Sequence, residues 1–105
     1  MVIEIMSLLA QIVTEEKSRI EKMINEYEKA LLSLPKGVLV NKTVKNNIYY
    51  YLQYREGKKT VSVYIGKDSD KVSEVQSRIE RRKQIETMLK ALREEYALAQ
   101  KYTGE

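Results

Sequence analysis

The sequence predicts an α+β fold: a long helix, a three-stranded antiparallel β-meander and a second long helix. Apolar residues recur with helical spacing over residues 1–34 and again over residues 69–103. Between them, residues 48–55 and 60–65 alternate between apolar and polar side chains, as strands with one buried face do. Helices of this length joined by a small sheet most simply fold back as an antiparallel coiled-coil hairpin. We therefore expect one domain over residues 1–105.

The first helix is predicted over residues 1–34. Its apolar stripe contains a series spaced by seven residues: Met6, Val13, Ile20, Tyr27 and Leu34. Residues 14–19 interrupt the stripe, since Glu16 and Lys17 stand where apolar groups are expected. Two outcomes are open there: the helix bends or breaks, or it continues through a solvated turn at little cost. The stop signal is Leu34-Pro35-Lys36-Gly37, because proline disfavours the helical conformation of the residue before it.

The sheet is predicted over residues 37–66. Its first strand, residues 37–44, is the least regular, and the following asparagines tolerate left-handed turn conformations. Residues 56–59 are predicted to form a hairpin loop around Gly57. The alternation in the second and third strands directs one set inward: Ile48, Tyr50, Leu52, Tyr54, Val61, Val63 and Ile65. It directs another set outward: Tyr49, Tyr51, Gln53, Arg55, Thr60, Ser62 and Tyr64.

The second helix is predicted over residues 69–103. Asp68, Ser69 and Asp70 suit its start, because their side chains accept hydrogen bonds from free backbone N–H groups. Gly104 is its expected stop. The apolar stripe of each helix is wider than a bare two-position seam, which leaves apolar surface for a second copy. We therefore expect a homodimer.

Composition excludes several classes of function. The chain has no cysteine and no histidine, which excludes disulfides, zinc sites built on these residues and a catalytic triad with an imidazole. The carboxylates lie mainly on helix faces mixed with lysine, and nothing isolates a buried catalytic pair. The apolar residues 1–13 are too short for a membrane span of about 20 residues. We expect a cytoplasmic protein that is not an enzyme and has no cofactor, metal, small-molecule substrate or membrane contact.

Charge is concentrated in the sheet. Residues 36–67 hold seven Lys or Arg against one Glu, a local charge of +6 in a chain of net charge +4, so the remainder carries −2. The same segment holds five of the eight tyrosines. A basic segment on a slightly acidic frame favours an anionic partner, because the local field steers association.

These features together predict a nucleic-acid-binding surface, for DNA rather than RNA and for duplex DNA in particular. Cations neutralise phosphates, Gln and Arg reach base edges, and a β-ribbon fits the major groove. Tyrosines stacking on unpaired bases are the other mode of contact. The residues expected to form the surface on the sheet are Tyr49, Tyr51, Gln53, Arg55, Lys58, Lys59, Ser62 and Tyr64, with Lys45 in support. The alternative is a stable sheet whose outer face is solvated or covered by a helix or a second subunit.

Cations at the start of the second helix extend this prediction. Arg78, Arg81 and Arg82 lie within two turns and are expected to continue a phosphate-binding track beyond the hairpin. The alternative is ordinary pairing along an exposed helix face, such as Arg82 with Glu86.

The sequence also resembles three groups of known proteins. Leu34-Pro35-Lys36-Gly37, the run YYYLQYREGK at residues 49–58 and YIGK at residues 64–67 resemble a group of small uncharacterised bacterial and archaeal proteins with a helix, a Tyr-rich sheet and a helix. That likeness covers most of the chain from about Tyr27 to the end and implies no activity. Residues 49–67 also resemble the three-stranded arm-type sheets of phage and transposon integrases, which implies docking in the DNA major groove.

The third resemblance is architectural. Two long helices joined by β-hairpin material look like the β-type subunit of prefoldin, a coiled-coil chaperone. This likeness implies the alternative function, a structural, assembly or chaperone-like protein whose sheet and helices contact other proteins.

Overall fold

The predicted order of elements is confirmed. A computed structural model describes the backbone of residues 2–67 and 69–103, and side chains from residue 7 onward within those ranges. Two helices flank a three-stranded antiparallel sheet, an α+β architecture. The elements are α1 (Val2–Leu31), β1 (Val38–Val44), β2 (Asn47–Glu56), β3 (Lys59–Gly66) and α2 (Ser69–Thr103). Over the described residues, no helix combines the length and apolar character that crossing a membrane requires.

Helix α1 ends at Leu31, before the predicted boundary at residue 34. The Leu32 N–H donates to the Lys29 carbonyl at 3.2 Å, a three-residue step that tightens the last turn. Pro35 keeps the preceding residue out of the helical region, so the chain leaves the helix before reaching it.

The polar interruption in α1 does not break the helix, which is continuous over Val2–Leu31. Thr14 donates its hydroxyl to the Ala10 carbonyl at 2.8 Å, and Arg19 pairs with Glu16 one turn earlier. Lys17 is buried, with its ammonium 5.4 Å from the centroid of the Tyr96 ring. The long aliphatic stem of lysine packs as an apolar group while the ring stabilises the charge, so Lys17 occupies a position in the apolar stripe.

Two of the predicted helix boundaries cannot be compared. Asp68, expected to cap α2, and Gly104, expected to end it, lie outside the described residues, as does the side chain of Met6. The described part of α2 begins at Ser69, as predicted.

The sheet has the order β1-β2-β3, and both connections are two-residue turns. Val44 pairs with Asn47 across Lys45 (φ 50°) and Asn46 (φ 69°), two left-handed residues, as in a type I′ turn. Between β2 and β3, Gly57 alone has positive φ (63°) among the two central residues, the arrangement of a type II′ turn. Both turns suit the twist of antiparallel strands, so the meander follows from short local signals.

The chain divides into two compact units. The helical unit comprises Met1–Leu32 and Ile85–Glu105. Its two helical segments pair in antiparallel fashion, since Arg93 of α2 donates to Glu28 at 2.8 Å while the later Tyr96 meets the earlier Lys17. The buried apolar side chains of this unit are Ile20, Ile85, Leu89 and Ala99.

The sheet unit comprises Ser33–Gln84 and includes the first part of α2. Leu52 on β2 and Ile79 on α2 are buried in it. Val63, expected to point inward, is on the same side of the sheet as its partner Leu52 but stays 42% exposed. Because β3 is an edge strand, fewer neighbours cover Val63 than cover Leu52 on the central strand.

Candidate functional site

The outward residues predicted from alternation share one side of the sheet. Directly opposed residues of antiparallel strands project to the same side, and Tyr51 faces Tyr64, Gln53 faces Ser62, and Arg55 faces Thr60. The Tyr49 ring also lies beside Tyr64. We call this side the tyrosine face and define it by Tyr49, Tyr51, Gln53, Arg55, Thr60, Ser62 and Tyr64.

Three tyrosine rings form a cluster at the centre of this face. The Tyr51 and Tyr64 ring centroids are 5.4 Å apart with the planes at 58°, and those of Tyr49 and Tyr64 are 6.4 Å apart at 44°. Tilted pairs at these distances contribute about 0.5–1.5 kcal/mol each beyond the area they bury. Tyr49 and Tyr51 are half-buried, whereas Tyr64 is 55% exposed. The cluster therefore presents mainly Tyr64 to solvent.

Two lysines flank the ring cluster. The Lys42 ammonium nitrogen lies 5.0 Å from the centroid of Tyr51, and that of Lys67 lies 5.2 Å from the centroid of Tyr49. An ammonium within about 6 Å of a ring centroid is attracted by the ring quadrupole, by about 0.5–1 kcal/mol at exposed sites. Both lysines are exposed, so their charges are held near the rings while remaining accessible.

A register shift places Lys67 at this cluster. From Tyr51 onward the β2–β3 pairs follow one register, but Tyr50 pairs with Gly66 and leaves Ile65 without an opposite residue. The uninterrupted register would set Tyr49 opposite Gly66, whereas the shifted one sets it beside residue 67. Such irregularities bend a strand and redirect its side chains. The shift thus gives Tyr49 a cationic neighbour instead of a glycine.

The remaining predicted cations of the sheet lie at opposite ends of β2. Lys58 and Lys59 are exposed at the turn into β3, with Arg55 two residues before that turn. Lys45 is exposed in the other turn. A strand rises about 3.3 Å per residue, so the ten residues of β2 separate the two turns by roughly 30 Å. The structure therefore groups Arg55, Lys58 and Lys59 and leaves Lys45 apart from them.

The predicted helix cations have other partners. Arg78 donates from Nη2 to the Ser33 carbonyl at 2.5 Å, and Arg82 donates from Nη1 to the Leu34 carbonyl at 2.8 Å. Both guanidinium groups thus hold the segment that follows α1, through carbonyls that lie beyond the end of the helix. Arg81, between them, is exposed. These contacts give Arg78 and Arg82 an anchoring role that the sequence pattern did not reveal.

Lys42 and Lys67 are the residues of this face that sequence reasoning missed. Both belong to the basic segment of residues 36–67, but neither is among the residues that the sequence predicts for the surface. With a two-residue turn at Lys45 and Asn46, strand pairing places Lys42 opposite Tyr49, so the turn length was the signal that could have found it. Lys67 depends on the register shift, for which the sequence offers no comparable signal.

Comparisons with known proteins give a family but no activity. No curated protein and no solved structure matches this chain. The likenesses to integrase arm sheets and to prefoldin therefore stay predictions. A family model described as a domain of unknown function (DUF6788) matches residues 13–77, which include most of α1, the whole sheet and the start of α2. This match begins and ends earlier than the likeness expected from about Tyr27 to the end of the chain, and it shows that the chain belongs to the DUF6788 family.

Proposed function

We propose that this chain is a non-enzymatic protein that binds duplex DNA through the tyrosine face and the adjoining turn. The observation that carries the proposal is an open sheet face in the most basic part of the chain. Its polar residues Arg55 and Ser62 are exposed, Tyr64 is more than half exposed, and two lysines flank the rings.

The charge of the sheet unit supports an anionic partner. Residues 33–84 contain twelve Lys or Arg against five Asp or Glu, a net charge of +7. The helical unit contains seven Lys or Arg against ten Asp or Glu, a net charge of −3. Because charges further apart than about 10 Å are screened at 0.1 M salt, a partner at the tyrosine face responds to the local charge and not to the total of +4.

The dimensions of the sheet favour a groove. Neighbouring strands lie about 4.8 Å apart, so the outer strands of a three-stranded sheet are about 10 Å apart. The major groove of B-DNA is about 12 Å wide and admits a two-stranded β-ribbon, such as the β2–β3 hairpin that carries the whole tyrosine face. Base stacking on three tyrosines is less favoured, since Tyr49 and Tyr51 are half-buried and each has a lysine ammonium near its ring. Phosphate contacts in a duplex therefore fit better than stacking on a single strand.

A fluorescence-anisotropy titration tests the proposal. Labelled duplex and single-stranded DNA of one sequence are titrated at 50 and 200 mM salt. Each phosphate contact with a duplex lowers log K by about 0.9 for every tenfold rise in salt, so five contacts predict a loss of roughly 10²–10³-fold over this range. Saturable, salt-dependent binding that favours the duplex supports the proposal, and an absence of binding at 50 mM salt overturns it.

Charge reversal locates the surface. The variant Arg55→Glu, Lys58→Glu, Lys59→Glu removes three of the proposed phosphate contacts, and we expect a loss of roughly 10²–10³-fold in affinity at 0.1 M salt. The matched control reverses three exposed lysines of the helical unit, Lys22, Lys90 and Lys101, and changes the net charge equally. Affinity that is unchanged in the first variant, or reduced equally in both, contradicts the proposed surface.

A second candidate function is assembly, and one observation favours it. Exposed apolar side chains from both helices occur in the helical unit: Leu8, Leu9, Ile12, Leu98 and Tyr102. Ile12, Leu98 and Tyr102 also line an open cavity of about 210 Å³ between the helices. Two helix pairs that each expose an apolar stripe can form a four-helix bundle about a two-fold axis. We therefore propose a second copy of this chain as the occupant.

Light scattering tests the dimer. The wild type is expected to have twice the monomer mass, and Leu9→Lys with Leu98→Lys is expected to give a monomer with an unchanged helical circular dichroism spectrum. A monomeric wild type at micromolar concentration overturns the dimer. DNA binding by that monomer would leave the tyrosine face as the functional site.

We also propose a cytoplasmic location for this protein. Fractionation of cells, with an antibody against the chain as the probe, tests it.

A further inference from the structure

Four contacts link two lysines and three tyrosines of the sheet. The chain of contacts runs Lys42, Tyr51, Tyr64, Tyr49, Lys67, and each contact spans 5.0–6.4 Å, measured between ring centroids or from a ring centroid to an ammonium nitrogen. It passes through β2 twice, because Tyr49 and Tyr51 are both on that strand. We call these five residues the lysine–tyrosine row. A lysine stands at each end of the chain of contacts. The row crosses the whole sheet, since Lys42 lies on β1 and Lys67 follows β3 directly.

Such contacts restrict the two lysines before any partner arrives. A lysine side chain has four rotatable carbons and loses much rotamer freedom when it is held in one place. Because the rings already restrict each ammonium in the unbound protein, less side-chain entropy is lost when the lysine contacts an anion.

The chemistry of the row selects an anion. Two ammonium groups already occupy the places where an aromatic cluster would attract a cation, and the surrounding unit carries +7. The two lysines come from opposite edges of the sheet, whose strands lie about 10 Å apart. Such spacing suits two phosphates on either side of a groove, and Tyr64 between them is the most exposed of the three rings.

We propose that Tyr49, Tyr51 and Tyr64 are positioning residues that hold Lys42 and Lys67 for contact with phosphates on the two strands of a DNA duplex. This inference rests on the proposed function. It adds two phosphate-binding residues that the sequence pattern did not indicate, and it assigns the tyrosines a role other than stacking on bases.

The first test neutralises the two lysines. Methionine keeps most of the side-chain length without the charge, so Lys42→Met with Lys67→Met removes both contacts. We expect the slope of log K against log salt for duplex DNA to fall by about 1.8 and the affinity at 0.1 M salt to fall by roughly 50- to 100-fold.

A matched control is available on the other side of the sheet. Lys36 has its ammonium 5.5 Å from the centroid of Tyr54, the neighbour of buried Leu52 on the inward set, so it makes the same kind of contact away from the row. Lys36→Met with Lys71→Met removes the same charge from the same unit, because Lys71 is exposed on α2. We expect this control to keep the wild-type salt slope.

The second test separates positioning from direct contact. Tyr49→Phe with Tyr51→Phe keeps both rings and should bind duplex DNA within twofold of the wild type. Tyr49→Leu with Tyr51→Leu removes the rings and should weaken duplex binding by roughly 3- to 10-fold with an unchanged salt slope, because the lysines remain but are no longer held. Circular dichroism melts of each variant confirm that the sheet is folded at the assay temperature.

The remaining outcomes distinguish failure of this inference from failure of the proposed function. A wild type that binds duplex DNA with salt dependence, together with an unchanged slope in the Lys42 and Lys67 variant, overturns this inference and leaves the proposed function standing. A phenylalanine variant as weak as the leucine variant overturns the positioning role. Tighter binding of single-stranded DNA that is lost in Tyr64→Leu assigns the rings to base stacking and overturns the inference. A wild type that binds neither form overturns the proposed function itself.

Discussion

The two units of this chain reach stability by different means. The helical unit buries four apolar side chains to below one tenth exposure, while the sheet unit buries Leu52 and Ile79 and relies on strand pairing, two tight turns and two arginine anchors. Their charges also differ, −3 against +7. Side chains that are not buried in a core remain accessible to a partner. The proposed binding face accordingly lies on the sheet unit, which has fewer buried side chains.

The largest effect is expected from the helical core. Leu89 is 1% exposed, and Leu89→Ala removes buried methyl groups and leaves a cavity, which should lower the free energy of unfolding by about 2–5 kcal/mol. Urea denaturation followed by circular dichroism measures it. Leu32→Ala is the control, because Leu32 is exposed and its truncation should change stability by less than about 0.5 kcal/mol. Equal effects in the two variants would show that burial of Leu89 does not stabilise the helical unit.

In the sheet unit, backbone geometry should matter more than side-chain volume. Gly37 has φ 114°, and a Cβ there would lie 2.2 Å from the Gln53 carbonyl oxygen and 3.0 Å from the Tyr54 Cβ. Gly37→Ala should therefore destabilise the protein by about 2–4 kcal/mol, from a strained backbone together with displacement of β2. Thermal unfolding measures the loss.

Gly57 provides the matched control for that substitution. Its φ is also positive, at 63°, but a Cβ there meets no atom within 4 Å. Gly57→Ala should cost only the left-handed conformation, about 1–2 kcal/mol. If Gly37→Ala is no less stable than Gly57→Ala, the close approach of residue 37 to β2 does not add to the cost of the substitution.

The arginine anchors are expected to contribute an intermediate amount. Arg82→Met keeps the aliphatic stem and deletes the hydrogen bond to the Leu34 carbonyl, which should cost about 1–3 kcal/mol because the donor is charged. Arg81→Met is the control on the exposed neighbour. An Arg82→Met variant with the stability of the wild type would show that Arg82 has no structural role. An effect of Arg81→Met on DNA affinity alone would assign that exposed arginine to the DNA contact.

The smallest effect is expected at an exposed pair in the helical unit. The Arg19 guanidinium hydrogen-bonds to Glu16 and holds the pKa of that carboxyl below its usual value. A carboxyl with a lowered pKa in the folded state adds stability above its unfolded pKa and loses it as the pH falls through the folded pKa. Glu16→Gln should therefore be slightly less stable than the wild type at pH 7, and the difference should shrink as the pH falls through the folded pKa of Glu16 and vanish below it.

A double-mutant cycle with Arg19→Gln checks the cause of that pH dependence. In the Arg19→Gln background, Glu16→Gln should no longer change the shape of the stability curve between pH 3 and pH 7. Persistence of the original pH dependence would assign it to a group other than this pair.

Local pattern was enough to predict the elements. The period of apolar residues distinguishes helix from strand, and Pro35 and Gly57 mark positions where the chain must leave one element or turn into another. The outward set of the sheet followed from alternation alone, because successive side chains of a regular strand point to opposite faces. For the same reason, Tyr51, Gln53 and Arg55 could be assigned to one face without knowledge of their neighbours.

Only the tertiary structure decided what those residues contact. The partners of Arg78 and Arg82 are carbonyls more than forty residues away, and no local rule relates them. Lys17 interrupts the apolar pattern, yet its burial against Tyr96 depends on the other helix. Lys67 joins the tyrosine face through a one-residue register shift. Periodicity by itself determined the elements and the face, whereas distances across the chain determined the anchors and the lysine–tyrosine row, because contacts between distant residues depend on register and packing that local propensity does not encode.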